Sequence, residues 1–388
     1  MGDRPVRIAM VAGEASGDLL GSRLLAALRR RFPDASFFGI GGPNMLSAGF
    51  DSWFPQEKLA IRGFVEVLRH LREVLALRAE LVARLRAARP DLVIGIDSPE
   101  FNLGVERRLK RAGFRTAHLV SPQVWAWRPG RIRKLKRSVS HLLVLFPFEE
   151  PLYRDAGLEV TYVGHPIADE IPEIVDRAAA REELRLPAFA PVVALLPGSR
   201  LSEIEMMAVP FIEAAKLVLA RLPETRFVVP LVTRETRAAF EVALYQCGAR
   251  ELPITLLFGH AREAIAACDV ALAASGTVTL EAALSHRPMA IAYRVAPLSY
   301  RIARRLIRVR HIGLPNILCG DAVVPEFLQA DATPENLAQA VTNMLADDVF
   351  RRVVEARFAR LHADLRRDAA ERAAEALAPL VGRTPAAA

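Results

Sequence analysis

The residues able to do chemistry cluster at turns that follow short apolar runs. Asp97 ends the run 91–96 (DLVIGI) and opens Asp97-Ser98-Pro99-Glu100-Phe101-Asn102. A carboxylate at a strand terminus is well placed to take a proton from a bound hydroxyl. Aspartate is equally at home in such a turn as a hydrogen-bonding residue. After the run 192–196 comes Pro197-Gly198-Ser199-Arg200, and after 270–274 comes Ser275-Gly276-Thr277 with Glu281 further on. A glycine turn that opens a helix offers free N–H groups to an anion. Arg200 adds a fixed cation. Glu281, one turn inside its helix, can accept hydrogen bonds from ribose hydroxyls, as acidic residues do in other nucleotide folds. One such turn is weak evidence, whereas two in one domain fit a nucleoside diphosphate.

Gly13-Glu14-Ala15-Ser16-Gly17-Asp18 follows the first apolar run. It is neither GxGxxG nor a P-loop, because the spacing and the Gly-Lys-Ser/Thr ending are missing. Glu14, Ser16 and Gly17 are either an anion site or a capped helix start with Ser16 or Asp18 as N-cap. Ser121-Pro122-Gln123-Val124-Trp125-Ala126-Trp127-Arg128 places two of the chain's three tryptophans beside a strand end. Trp127 can offer a flat face to a sugar or acyl chain. Arg128 starts a basic run through Arg137 that reads as a solvated helix, a nucleic-acid patch or a membrane-facing patch. By themselves, Asn316 after Pro315 reads as a turn residue and His165 as structural. No HExxH or DxD pattern is present, so neither a metal nor a cofactor is expected.

These turns need a scaffold. The chain has 388 residues, 52% hydrophobic and 25% charged, which excludes bulk disorder and favours two domains. Apolar runs at 6–12, 36–40, 91–96, 116–120 and 142–146 alternate with helical patterns at 19–31 and 66–88. The series restarts at 192–196, 226–231 and 270–274, with helices at 203–222 and 278–284. Continuous apolar strands alternating with helices mean parallel sheets covered on both faces. The expected fold is α/β, with two Rossmann-like, doubly wound domains facing a cleft. Residues 1–168 form the first domain and 169–349 the second, with a hinge within 166–187. A helical stretch follows from 334 to 380, of which about 350–380 packs back on the first domain.

No run of about 18 apolar residues occurs, so no transmembrane helix is expected, and the start does not read as a signal peptide. Cys247, Cys268 and Cys319 are scattered, which excludes a disulfide framework and suits a reducing compartment. The net charge of +8 points to anionic partners.

Taken together, VAGEASGDLLG, GIGGPNM, IDSPEFN, SPQVWAWR, FPFE, YVGHP, LLPGSRLSEIE, ASGTVTLEAAL, GLPNIL and VPEFLQ resemble the bacterial lipid-A-disaccharide synthases, glycosyltransferases of the GT-B architecture. They run from residue 11 to residue 328 in family order. The resemblance implies an inverting transfer from UDP-2,3-diacylglucosamine to 2,3-diacylglucosamine 1-phosphate, giving a β-1′,6-linked disaccharide 1-phosphate and UDP. It implies Asp97 as candidate base and Arg200 and Asn316 as essential polar residues. Gly198, Ser199, Ser275, Gly276, Thr277 and Glu281 fall in its UDP-binding segments, and Arg200 and Asn316 are expected to contact UDP as well. By position, Glu14, Ser16, Gly17, Trp127 and Arg128 are expected at the acceptor. The resemblance further implies no nucleic-acid partner, a cytoplasmic location peripheral on the inner face of the inner membrane, contact with anionic lipid, and an oligomeric state open to a homodimer. The alternatives are another UDP-sugar enzyme of this architecture, such as a UDP-N-acetylglucosamine 2-epimerase or a peptidoglycan glycosyltransferase, and a basic nucleic-acid-binding protein.

Overall fold

The computed structural model describes residues 4–59, 64–122, 124, 130–295, 300 and 309–381, and for 64–71 the backbone only. The chain divides into two compact units. Unit 1 is Met1–Asp169 with Leu365–Ala388, and unit 2 is Glu170–Asp364.

Unit 1 is built on a parallel sheet of β1 (Arg7–Ala12), β2 (Ser36–Ile40), β3 (Asp51–Ser52), β4 (Leu92–Ile96), β5 (Thr116–Leu119), β6 (His141–Val144) and β7 (Val160–Tyr162). Their spatial order is β3-β2-β1-β4-β5-β6-β7. Met10 of β1 pairs with Gly39 of β2 on one side and Ile94 of β4 on the other. The winding therefore reverses between β1 and β4, and a sheet of this kind opens a crevice beyond the carboxyl ends of those two strands. Successive residues of β1 enter opposite layers. Ile8, Met10 and Ala12 pack with Leu24, Leu25 and Leu28 of the helix Ala15–Arg31. Ala9 and Val11 pack with Leu77, Leu81 and Leu85 of Phe64–Ala88 and with Val105 and Leu109 of Pro99–Arg111. Burial on both faces explains why the strand is a continuous apolar run.

Unit 2 repeats the plan with β8 (Val192–Leu196), β9 (Arg226–Leu231), β10 (Ile254–Phe258), β11 (Val270–Ala274), β12 (Met289–Tyr293) and β13 (Glu326–Leu328). All pairings are parallel, in the order β10-β9-β8-β11-β12-β13, so the reversal lies between β8 and β11. Phe211, Ile212 and Ala215 of the helix Leu201–Arg221 and Leu337 and Val341 of Pro334–Ala346 cover one face of this sheet.

The helical stretch expected over 334–380 is broken into Pro334–Ala346, Asp348–Leu365 and Ala369–Leu377. Asp348–Leu365 belongs almost wholly to unit 2, and the chain enters unit 1 only from Leu365. Asp368, at φ 55°, turns the chain, and the Asp169 carboxylate accepts from the N–H groups of Arg367, Asp368 and Ala369. Ala369, Ala373, Ala374 and Leu377 then join the layer containing Leu24 and Leu28, and Arg30 Nε donates to Glu371 at 2.8 Å. Small alanines on that face let this last helix lie close.

Candidate functional site

In each unit the candidate residues stand where the winding reverses. In unit 1, Gly13–Ser16 leave the carboxyl end of β1 and Asp97 leaves that of β4. Asp97 and Ser98 both adopt the left-handed conformation, with φ of 52° and 43°. Two consecutive non-glycine residues in that region are strained, and such strain concentrates at functional turns. The turn is held from below by Asn102, whose Nδ2 reaches the carbonyls of Val11, Ile96 and Asp97 at 3.0, 3.2 and 2.9 Å. Asn102 is 1% exposed and so ties β1, β4 and the Asp97 peptide together. Ser16 Oγ donates to Asp97 Oδ2 at 3.3 Å, which brings the two predicted turns into one site. A Cβ on Gly13 would lie 2.8 Å from Ser98 Oγ, so glycine there permits the close approach of the two strand ends.

The N-cap of Ala15–Arg31 is Glu14, without a side-chain cap bond, rather than Ser16 or Asp18. Glu14 and Ser16 are exposed and Gly17 is buried against β4. Asp18 serves a different segment. Its buried carboxylate accepts from the backbone N–H groups of Gly42, Asn44 and Met45 and from Asn44 Nδ2, at 2.8 to 3.0 Å. The partner is 24 residues or more away, so local spacing gives no sign of it. Trp125, Trp127 and Arg128 lie outside the described residues. Next to them, Val120 follows β5 at φ 78°, and buried Ser121 Oγ bonds to Tyr153 Oη. Burial raises the Tyr153 hydroxyl well above the usual tyrosine range. His165 caps the helix that follows it, its Nδ1 accepting from Ile167 N–H at 3.2 Å. This matches the structural reading.

In unit 2, Gly198–Arg200 follow β8 and Ser275–Thr277 follow β11. Gly198 has φ 125°, and a Cβ there would sit 2.5 Å from Glu203. The reason is that Glu203 folds back under the turn. Its Oε2 accepts from Ser199 and Arg200 N–H at 2.9 and 3.1 Å, and its Oε1 pairs with Arg200 Nη1 at 2.8 Å. The amides expected to face an anion are thus engaged by a carboxylate, while the Arg200 side chain is 74% exposed. Gly276 and Thr277 are exposed, and the helix Thr277–Leu284 carries no side-chain cap. The Thr279 N–H donates to Gly276 O at 3.1 Å, so at this helix start the N–H groups that could meet an anion are those preceding it. Glu281 is pushed above the usual carboxylate range, chiefly by burial, with Arg262 opposing and Glu170 adding to the shift.

Asn316 differs from the sequence expectation of a ligand contact. It is fully buried and all four of its hydrogen-bonding positions are used within the protein. Nδ2 donates to Val324 O and Glu326 Oε1, both at 2.8 Å, and Oδ1 accepts from Val323 and Val324 N–H at 2.9 and 3.0 Å. Among the described residues, Glu183, His260 and Glu263 bring ligand atoms within 4.8 Å of one another, away from these turns in sequence and largely exposed.

The profile of lipid-A-disaccharide synthetase matches residues 8–377. The chain is 54% identical over 379 residues to the lipid-A-disaccharide synthase of Aromatoleum aromaticum, covering 98% of this chain and 97% of that one. This chain belongs to the lipid-A-disaccharide synthase family. It is also 53% identical to the family member of Dechloromonas aromatica, with 96% and 98% coverage. The glycosyltransferase of kitacinnamycin shares the fold at a TM-score of 0.64 and 18% identity, covering 98% of this chain and all of that one. The chain is accordingly a glycosyltransferase of the GT-B architecture. Membership of the lipid-A-disaccharide synthase family displaces the epimerase, peptidoglycan and nucleic-acid alternatives.

Proposed function

We propose that this protein joins UDP-2,3-diacylglucosamine to 2,3-diacylglucosamine 1-phosphate with inversion at the donor anomeric carbon. The reading rests on one observation above all, the family match over residues 8–377. In the proposed step, Asp97 takes the proton of the acceptor 6-hydroxyl as its oxygen attacks the donor C1. The bond from C1 to the diphosphate oxygen breaks, and UDP leaves with the electron pair. Ser16 orients the Asp97 carboxylate through the bond described above. Arg200 and the open N–H groups of the helix Thr277–Leu284 receive the developing negative charge. Ser199 and Gly198 shape the turn that presents Arg200, Ser275 and Gly276 line the diphosphate, and Glu281 takes the ribose hydroxyls. Glu14, Trp127 and Arg128 are assigned to the acceptor, while Gly17, buried against β4, lets the helix that carries Ser16 lie close to that strand. The protein works at the cytoplasmic face of the inner membrane, its excess positive charge held against anionic lipid.

Asp97→Asn tests the base. Asparagine tolerates the left-handed conformation, so the turn survives. The expected result is a fall in kcat of about 10²–10⁴-fold with the UDP dissociation constant unchanged. A kcat within a few-fold of the wild type would remove Asp97 from the proton transfer.

A further inference from the structure

Glu326 at the start of β13 has no ligand-facing role in the proposed reaction, yet its carboxylate accepts three hydrogen bonds from the segment that leads to the β11 turn. Its Oε1 accepts from Gly313 N–H at 3.0 Å and from Asn316 Nδ2 at 2.8 Å, and its Oε2 accepts from Ile312 N–H at 2.9 Å. The Ile312 carbonyl in turn accepts from Ser275 Oγ at 3.3 Å. Ser275 is also tied to the sheet, its N–H reaching Ala292 O at 3.1 Å. A chain of contacts therefore runs from Glu326 through the 312–313 peptide to the first residue of the Ser275-Gly276-Thr277 turn.

We infer that Glu326 is a positioning residue for the donor site, and that Asn316 acts through it. The inference rests on the reading of the Ser275–Thr277 turn as part of the UDP site, and assigns that site its internal support. Asn316 cannot reach a ligand with its side chain, because both of its N–H groups and both acceptor positions of its oxygen are taken. What it does do is donate to Glu326 and fix the 323–324 backbone that leads into β13. A bare carboxylate beside a diphosphate would repel it. Glu326 instead spends its charge on three N–H donors and so fixes a loop without facing the ligand. Glutamine cannot replace it, because only one of its terminal atoms accepts. With that oxygen on the Gly313 and Asn316 side, its NH₂ would confront Ile312 N–H and push the 312 peptide off Ser275.

The test is Glu326→Gln in the full-length protein, with UDP binding by calorimetry and steady-state kinetics in both substrates. The UDP dissociation constant and the donor KM should rise about ten-fold, as loss of one charged hydrogen bond would give, with the acceptor KM unchanged. Glu326→Asp keeps both oxygens one methylene short and should fall between wild type and Gln in donor KM. In a double-mutant cycle with Ser275→Ala, the two effects on UDP binding should add to less than their sum. A purely structural residue would lower the folded fraction, reducing apparent kcat while leaving both KM values in place, and that pattern overturns the inference. So do variants that bind UDP as tightly as wild type, or a cycle that is additive. Wild type that fails to bind UDP at all overturns the donor-site reading itself, and this inference with it.

Discussion

Glu281 holds a carboxylate where burial penalises its charge. A carboxyl group whose folded pKa lies above its unfolded value binds protons more tightly when folded. It therefore costs stability at pH values above both, and nothing at pH values below both. Glu281→Gln removes the ionisable group, so the variant should melt higher than wild type at pH 7. That gain should shrink as pH falls through the raised carboxylate range and vanish below pH of about 4. Melting curves at neutral and acidic pH check this, and a lower Tm at pH 7 would show that Glu281 is needed for the fold. UDP binding should weaken in the same variant, which fits a group kept at a stability cost for its ligand. The strain at Asp97 and Ser98 has the same character. Two left-handed residues at the end of β4 cost about 1–3 kcal/mol each and are tolerated because Asn102 pins the turn beneath them.

At the scale of the elements, the turns depend on clamps that join distant parts of the chain. Asp18, on the helix Ala15–Arg31, holds the Gly42–Met45 segment through four hydrogen bonds. Asp18→Ala leaves these donors buried without an acceptor and should cost roughly 3 kcal/mol or more, measured by urea unfolding. A loss below about 0.5 kcal/mol would mean that the segment finds other partners. Clamps of this kind are where sequence reading stops. The strands 36–40, 192–196, 226–231 and 270–274 were read with the bounds the structure has, because each is apolar on both faces. The short β3, β7 and β13 leave no pattern in the sequence, since two or three residues carry no period. The half-exposed β10 lacks the buried signature of its neighbours. The placement of Asp97, Arg200 and the Ser275 turn after strand ends is legible because glycine and polar residues interrupt apolar runs at those points. The roles of Asp18, Glu203 and Glu326 are not, because each carboxylate is defined by backbone N–H groups it meets only in the fold. For the same reason Asn316 read as a turn or ligand residue and is instead a buried brace.

At the scale of the whole molecule, charge and hydropathy bear on where the protein works. No described helix is long and apolar enough to cross a membrane. The substrates proposed for it are acylated, and a net charge of +8 supplies attraction to an anionic surface. That net figure already counts acidic partners such as Glu100, which pairs with Arg131, while Lys136 keeps its charge as its Nζ donates to the neutral Ala156 carbonyl. Binding to vesicles containing anionic lipid should therefore weaken steadily as salt rises from 0.05 to 0.5 M, over which the screening length falls below about 5 Å. Salt-independent binding, measured by sedimentation, would assign the attachment to apolar insertion.

The central claim is the reaction itself. Purified protein is incubated with UDP-2,3-diacylglucosamine and 2,3-diacylglucosamine 1-phosphate, and products are read by mass spectrometry. The expected result is a disaccharide 1-phosphate formed in step with released UDP. Saturable UDP binding with no disaccharide from these two substrates would contradict it.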